Sequence, residues 1–358
     1  MNLRRAAAVA VAVLCATGAA LGQRPSPTPV QESVTVHRVE ITLHVTDRSG
    51  AAVQGIEPRE FSVFVDGKHV DTESVEWVAS AGDATSVPTR EIRAGGPESE
   101  TPPPAPSARL IVMVFQREIA GQKEEGLMRM KRQALDFVDT LKSDDQVAIL
   151  AMGARLWLRL DFTSDRKAIR KAVGDATRAE DVVRVSDPPE PSIAARLASE
   201  DEERATSIEK AFLAIGRALK PLPGAKAVLF FGYAVGRWNA LAAAGSGDYQ
   251  QGNVIYPEEY ERAREALAAA QAPVFTLDVS SGQHQLSEAL HKLSFETGGF
   301  YVPTYQHPDW AMQRVAAAIT GHYVLVIAKP DRPPGLHKIE IVTTRRNVSL
   351  LYRQTYED

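Results

Sequence analysis

RLIVMVFQREIAGQKEEGLMRMKRQALDFVDTLKSDDQVAILAM, residues 109–152, decides the fold. Leu110–Phe115 is an unbroken apolar run, as a strand buried on both faces requires. Lys123–Leu141 then changes period. Leu127, Met130, Ala134, Leu135, Val138 and Leu141 recur at helical spacing and form one apolar stripe. Gln146–Met152 returns to the continuous apolar pattern. Strand, helix and strand in that order give a crossover unit with a parallel sheet.

The same alternation continues outward. Ala154–Leu160 reads as a hairpin partner of the preceding strand. Thr163 or Ser164 suits the cap of a helix over Asp165–Val173. Residues 177–205 are acidic and Pro-broken, a surface loop with some helix. Ile208–Leu219 is a helix and Ala227–Phe231 a buried strand. Residues 232–256 read as a long Gly/Ala-rich loop, of a length that points to function or disorder. Pro257 opens a helix through Ala270. Pro273–Val279 is a strand, and Leu286–Thr297 a helix that Gly298-Gly299 stops. Gly299–Pro303 is a short strand and Pro308–Thr320 a helix. Residues 108–321 therefore predict an α/β domain: a doubly wound, mostly parallel sheet flanked by helices, with ligands expected at the carboxyl ends of its strands.

Small β elements flank this domain. Residues 34–79 hold near-alternating Val34, Val36, Val39, Ile41, Leu43 and Val45, then Phe61, Val63 and Val65, with Asp66-Gly67 as a hairpin turn. His322–Ala328, His337–Thr343 and Val348–Tyr352 give three strands at the end. Each set is short for independent stability. Pairing the two into one β-sandwich would bury both apolar faces. Residues 23–33 and 80–107 are Pro-rich linkers.

Residues 1–22 carry Arg4-Arg5, a small-apolar run and Ala20-Leu21-Gly22, the pattern of a signal peptide. Export to the periplasm or the extracellular space is expected, with no stable membrane insertion after removal of that segment. The only cysteine is Cys15, inside it. The remainder has no disulfide, thiolate ligand or Cys nucleophile. The net charge of −4 argues against a nucleic-acid partner, which would need a basic face.

Catalytic motifs are missing. The sequence has no phosphate-binding G-x-x-x-x-G-K-[ST], no G-x-G-x-x-G after a strand, and neither H-E-x-x-H nor G-x-S-x-G. Ser280-Ser281 with His284 could serve as nucleophile and base, but no acidic orienter is evident, and the ordinary reading is a polar turn after a strand. An enzyme is not expected.

Three stretches together resemble a family. They are ITLHVTDRSGAAVQGIEPREFSVFVDGK (41–68), the α/β segment ending LSFETGGFYVPT (293–304), and YVLVIAKPDRPPGLHKIEIVTTRRNVSLLYRQTYED (323–358). They are similar to the secreted bacterial VWFA-related proteins, which carry a von Willebrand factor A-type domain. The resemblance implies a protein-binding module with a divalent cation at the top of the sheet. That family's ligands are D-x-S-x-S after the first strand, a Thr on a second loop, and an Asp after the fourth strand. Here Gln116 stands for the first Asp, Glu118 and Ala120 for the two Ser, and Tyr233 for the last Asp; Thr206 is the one match. No Asp occurs from Leu110 to Gly121 or from Ala227 to Gly247. Arg117 adds a repulsion of about 4 kcal/mol per unit charge on a cation ~4 Å away, at an effective dielectric of ~20. The adhesion site therefore reads as degenerate, with no metal or other cofactor.

What remains at that face is Gln116, Arg117, Glu118, Tyr233, Arg237, Trp238 and Asn239, rich in the residue types of interaction hot spots. The resulting expectation is an exported, non-enzymatic protein-binding or scaffolding module. One alternative is a metal-dependent (Mg/Ca) adhesion module with non-standard ligands such as Glu118, Thr206 and Asp248. Another is a hydrolase with residues 232–256 as a lid.

Overall fold

Six strands and six helices of the α/β region follow from the patterns above, and the computed structural model places those six strands in one sheet. It describes residues 38–79, 108–117, 122–178, 188–239, 253–305 and 308–357. The expected signal segment, both Pro-rich linkers, Val34, Val36, Glu118, Ala120 and Asp248 lie outside these residues.

The chain enters as β1 (Arg38–Asp47), β2 (Phe61–Val65), β3 (Lys68–Val70) and β4 (Thr72–Ala79). The α/β region follows with β5 (Leu110–Gln116), α1 (Gln122–Thr140), β6 (Gln146–Met152), β7 (Leu156–Thr163), α2 (Arg166–Asp175), α3 (Ser199–Arg204), α4 (Ile208–Leu219) and β8 (Lys226–Gly232). Next come β9 (Arg237–Asn239), β10 (Asn253–Ile255), α5 (Glu258–Ala269), β11 (Val274–Asp278), α6 (Ser287–Thr297), β12 (Tyr301–Pro303) and α7 (Pro308–Ala318). The chain closes with β13 (Gly321–Ala328), β14 (Leu336–Thr343), β15 (Val348–Tyr352) and β16 (Thr355–Glu357).

A six-stranded sheet runs in the order β12-β11-β8-β5-β6-β7. Its pairings are parallel except the β6–β7 hairpin. Side chains alternate across it. Val112, Val114, Leu150, Val228 and Phe230 pack with α4, α5 and α6, while Met113, Phe115, Ile149, Leu229 and Phe231 pack with α1, α2 and α7. Phe115 and Phe231 stack at 4.5 Å between ring centroids. Every described pairing outside this sheet is antiparallel. The chain as a whole is therefore a mixed α/β fold rather than a mostly parallel one.

Three local expectations need correction. The second hairpin strand runs to Thr163, so the α2 cap moves to Asp165, whose carboxylate accepts the Lys167 and Ala168 N–H groups. A carboxylate at this position reaches two orphan donors of the first turn. The stretch 232–256 is not a plain loop, because β9 and β10 pair within it. The terminal β segments each contribute one more strand than expected, β4 and β16. The stop at Gly298 is as the sequence indicates: it is left-handed, with φ +88°, a conformation that costs glycine little.

The terminal strands interleave. One sheet is ordered β15-β1-β13-β4 and another β16-β14-β2-β3. Ile41, Leu43, Val63, Val65, Tyr323, Leu325, Ile327 and Ile339 close one apolar cluster between them, each under about a fortieth exposed. Asp66, at φ +47°, and Gly67, at φ +76°, form the predicted turn. The Asp66 carboxylate meets His337 at 2.9 Å and Arg332 at 2.5 Å, and these contacts, the His337 bond first, hold its pKa down to about 2. Residues before position 80 and after position 320 thus complete each other's sheets. A chain lacking residues 1–107 should lose at least several kcal/mol, since each fully buried aliphatic side chain contributes about 1.5–3 kcal/mol. Its tail should also become open to protease. An unchanged thermal midpoint and an uncut tail would show instead that the terminal strands fold independently.

These layers meet the helices of the α/β region through two histidines. His44 on β1 and His322 on β13 are both buried, with ring centroids 5.6 Å apart. His44 Nδ1 lies 3.0 Å from the Ala318 carbonyl at the end of α7. Burial lowers the pKa of His44. Burial, then repulsion from His44, takes His322 to about 3. The neutral forms are the folded forms, so their contribution is complete above the unfolded value of ~6.5. It is lost as pH falls from there through the folded value. In unfolding measured between pH 7 and pH 3, the double variant His44→Gln/His322→Gln should show a shallower acid-side loss than the unaltered chain. Equal slopes would remove the pair from the pH response.

Candidate functional site

The carboxyl ends of the sheet strands stand in one row. Pro303 pairs with Asp278, Asp278 with Gly232, Gln116 with Met152, and Met152 with Leu156. The strand order reverses between β5 and β8, the place where open α/β sheets hold their ligands. Gln116 ends β5 at that point and is 9% exposed. Its Oε1 accepts the Tyr233 N–H at 2.9 Å and the Ala234 N–H at 3.3 Å, so both lone pairs of the amide oxygen are taken. The turn after β8 is held from a second side. Buried Glu209 on α4 accepts the Gly236 N–H through Oε1 at 2.6 Å. Residues 233–236 are thereby clipped between β5 and α4. They carry the chain into the β9–β10 ribbon, where Trp238 opposes Val254.

Arg117 turns the other way. Its guanidinium lies 5.0 Å from the centroid of the Trp157 ring on β7, and Arg155 lies 5.3 Å from the same ring. Tyr233, Trp238 and Asn239 are half-buried, while Arg237 and Thr206 are exposed. The structure joins Gln116 to Tyr233 directly. It places Arg117 on the β6–β7 side and Arg237, Trp238 and Asn239 on the ribbon after β8. Among the described residues no hydrogen bond ties Thr206 to Gln116.

A hard divalent cation wants several oxygen ligands, with carboxylates foremost. The described residues do not fit that requirement. The Gln116 oxygen is spent on two backbone donors, and Tyr233 offers no carboxylate. Among the described residues no group of three His, Cys, Asp or Glu stands close enough to hold a metal.

The turn after β11 holds a feature that the sequence reading missed. His284 does have an acidic partner: its Nε2 is 3.0 Å from Oδ2 of fully buried Asp278. The Tyr301 hydroxyl donates to the same oxygen at 2.7 Å, and the Ser280 N–H donates to Oδ1 at 2.9 Å. Burial, then the Asp278 charge, pushes the Tyr301 phenol well above its ordinary range. The arrangement still lacks the geometry of a nucleophile and base. The Leu286 N–H donates to His284 Nδ1, so Nε2 carries the proton directed at Asp278. Both ring nitrogens are committed. Among the described residues the buried Ser280 Oγ has no hydrogen-bond partner, and His284, with both nitrogens engaged, is not placed to take its proton.

Two acids thus shape this edge unforeseen. Asp278 had a signal, since it is the one charged residue in the apolar run 273–279 and sits at its carboxyl end. Glu209 had only its place in the first turn of a helix, which many surface acids share.

No protein-family profile matches the sequence, and no curated protein matches it. Solved structures do. An aerotolerance-related membrane protein of Bacteroides fragilis is 14% identical, with 60% of this chain and 98% of that chain covered and a TM-score of 0.38. The conserved hypothetical protein BatB of Bacteroides thetaiotaomicron is 16% identical over 59% of this chain and 98% of that one, with a TM-score of 0.35. A von Willebrand factor type A structure from Catenulispora acidiphila is 11% identical over 90% of this chain and 74% of its own, with a TM-score of 0.40.

Gln116→Ala tests the clip. It leaves two backbone donors without their acceptor, at a cost of about 1–3 kcal/mol for each that stays buried. Amide exchange at Tyr233 and Ala234 should quicken more than exchange within β8. Unchanged exchange at those two amides would mean that Gln116 does not hold the turn.

Proposed function

We propose that this chain is an exported, non-enzymatic protein-binding or scaffolding module built on a von Willebrand factor A-type domain that works without a metal ion. The observation that carries this reading is the Gln116 side chain, whose oxygen binds the Tyr233 and Ala234 backbone where the resembled family places a cation ligand. An internal hydrogen-bond clip does the work of holding the two loops together.

Other features support the remaining parts. The strand order 6-5-4-1-2-3, counted within the six-stranded sheet, suits an A-type, doubly wound sheet with helix-borne clusters on both faces. The domain would span residues 108–321. The β elements at 34–79 and 322–358 would form a β-sandwich beside it, given their shared sheets. The commitment of both His284 nitrogens speaks against hydrolysis. No helix of the described residues is long and apolar enough to cross a membrane, and the signal-like residues 1–22 support export to the periplasm or the extracellular space.

The partner-binding face narrows on this reading. Gln116 lies beneath it as a support. Arg117, Glu118, Tyr233, Arg237, Trp238 and Asn239 remain as contact residues.

Thermal unfolding in EDTA, then in millimolar Mg²⁺, Ca²⁺ or Mn²⁺, tests metal independence. A cation present at 100 times its Kd would add about 2.7 kcal/mol, a rise of several degrees for a chain of this size. The expected result is no shift. A clear rise would replace this reading with cation-bridged adhesion.

A further inference from the structure

Arg117 follows the last residue of β5 and takes its place in the row through its N–H, which donates to the Met152 carbonyl. Its side chain then crosses Gly153. A Cβ at Gly153 would stand 3.0 Å from Cζ3 of Trp157 and 3.6 Å from Cβ of Arg117. The glycine therefore leaves room for the guanidinium to lie on the indole. Stacking uses the face of a guanidinium and leaves its N–H edge directed outward in a rigid fork. Among the described residues no carboxylate pairs with Arg117, and no acceptor takes a hydrogen bond from its side chain. It is half-buried, so part of its hydration is already gone. A second guanidinium, that of Arg155, lies 5.3 Å from the same ring.

We propose that Arg117, seated on Trp157 at the carboxyl edge of the sheet, receives an acidic side chain from a protein partner. The proposal rests on the metal-free reading of the site and names the chemistry of its ligand. A planar fork whose edge donors meet no acceptor among the described residues matches a carboxylate through two parallel hydrogen bonds. The negative net charge of the chain disfavours an extended polyanion and leaves a local acidic peptide segment as the occupant. Trp157 is a positioning residue: its ring lies 5.0 Å from the guanidinium carbon and covers it on one side.

The test uses the whole chain, in EDTA and low salt, titrated with a hexaglutamate peptide against hexaglutamine. The readout is the Arg Nε–H resonances and the Trp157 indole resonance. The Arg117 resonance should shift to saturation with hexaglutamate alone. Arg117→Gln should weaken binding by about tenfold or more, as expected for loss of one charge-assisted pair. Trp157→Leu should weaken it while leaving Arg117 in place, and Arg59→Gln, at a distant exposed site, should bind as the unaltered chain does. Thermal midpoints of the variants show that they are folded. The proposal is overturned if the Arg117 resonance stays still at millimolar peptide, if Arg59→Gln loses as much as Arg117→Gln, or if inorganic phosphate binds more tightly than hexaglutamate. Binding that appears only after Mg²⁺ is added would instead defeat the metal-free reading itself. No binding in either condition, with no metal-induced thermal shift, would defeat the arginine site alone.

Discussion

The antiparallel pairing of β1 with β13 is the constraint on which the rest of this structure depends. It sets Arg38 opposite Ala328 and Leu43 opposite Tyr323, joining strands from the two ends of the described chain. Closing so long a loop costs entropy that grows only slowly with length. The cost is offset because both partners are otherwise incomplete. Without β1, β13 would keep β4 alone and β15 would have no neighbour in its sheet. Once these strands pair, the intervening α/β region is held at its start and its finish.

The same pairing couples the β layers to the helices. His44 and His322 lie at that junction as neutral, buried groups, with His44 against the end of α7. Gly298, which ends α6, lies close enough to β15 that a side chain there would meet the Tyr352 backbone at 3.0 Å. Arg264 on α5 donates to Thr355 on β16. The carboxyl edge of the six-stranded sheet is thus presented by a body braced on one side, with its loops tied down by Gln116, Glu209 and Asp278. A face of this kind is preorganised, which lowers the ordering cost of binding.

At the candidate site a neutral amide serves where a charged group would not fit. An Asp at position 116 would offer charge outward. Gln116 turns its carbonyl to two backbone donors, which its neutral amide can satisfy in a buried place where an unpaired carboxylate would be costly. The chemistry at this edge therefore moves to residues beside it. Arg117 lies on Trp157, and Asp278 is shared by His284, Tyr301 and Ser280.

The periodicity of residues 109–152 was enough to place β5, α1 and β6, because burial on both faces or on one stripe is written in local spacing. The same is true of α4, which runs over the residues its pattern predicted, and of the Asp66-Gly67 turn, whose left-handed backbone restricts the residues allowed. That positions 116 and 233 carry no acid was also legible, since it requires only reading the residues. Other features were not. The interleaving of the terminal strands depends on register between segments far apart in sequence, which no local pattern encodes. Asp278 stands next to His284 because a turn after β11 folds back, and Arg117 meets Trp157 because β6 and β7 form a hairpin. The sequence by itself determined most of the elements and the residue types at the sheet edge; the tertiary structure alone decided which side chains meet, because hydrogen bonds and stacking act over a few ångströms that only packing can set.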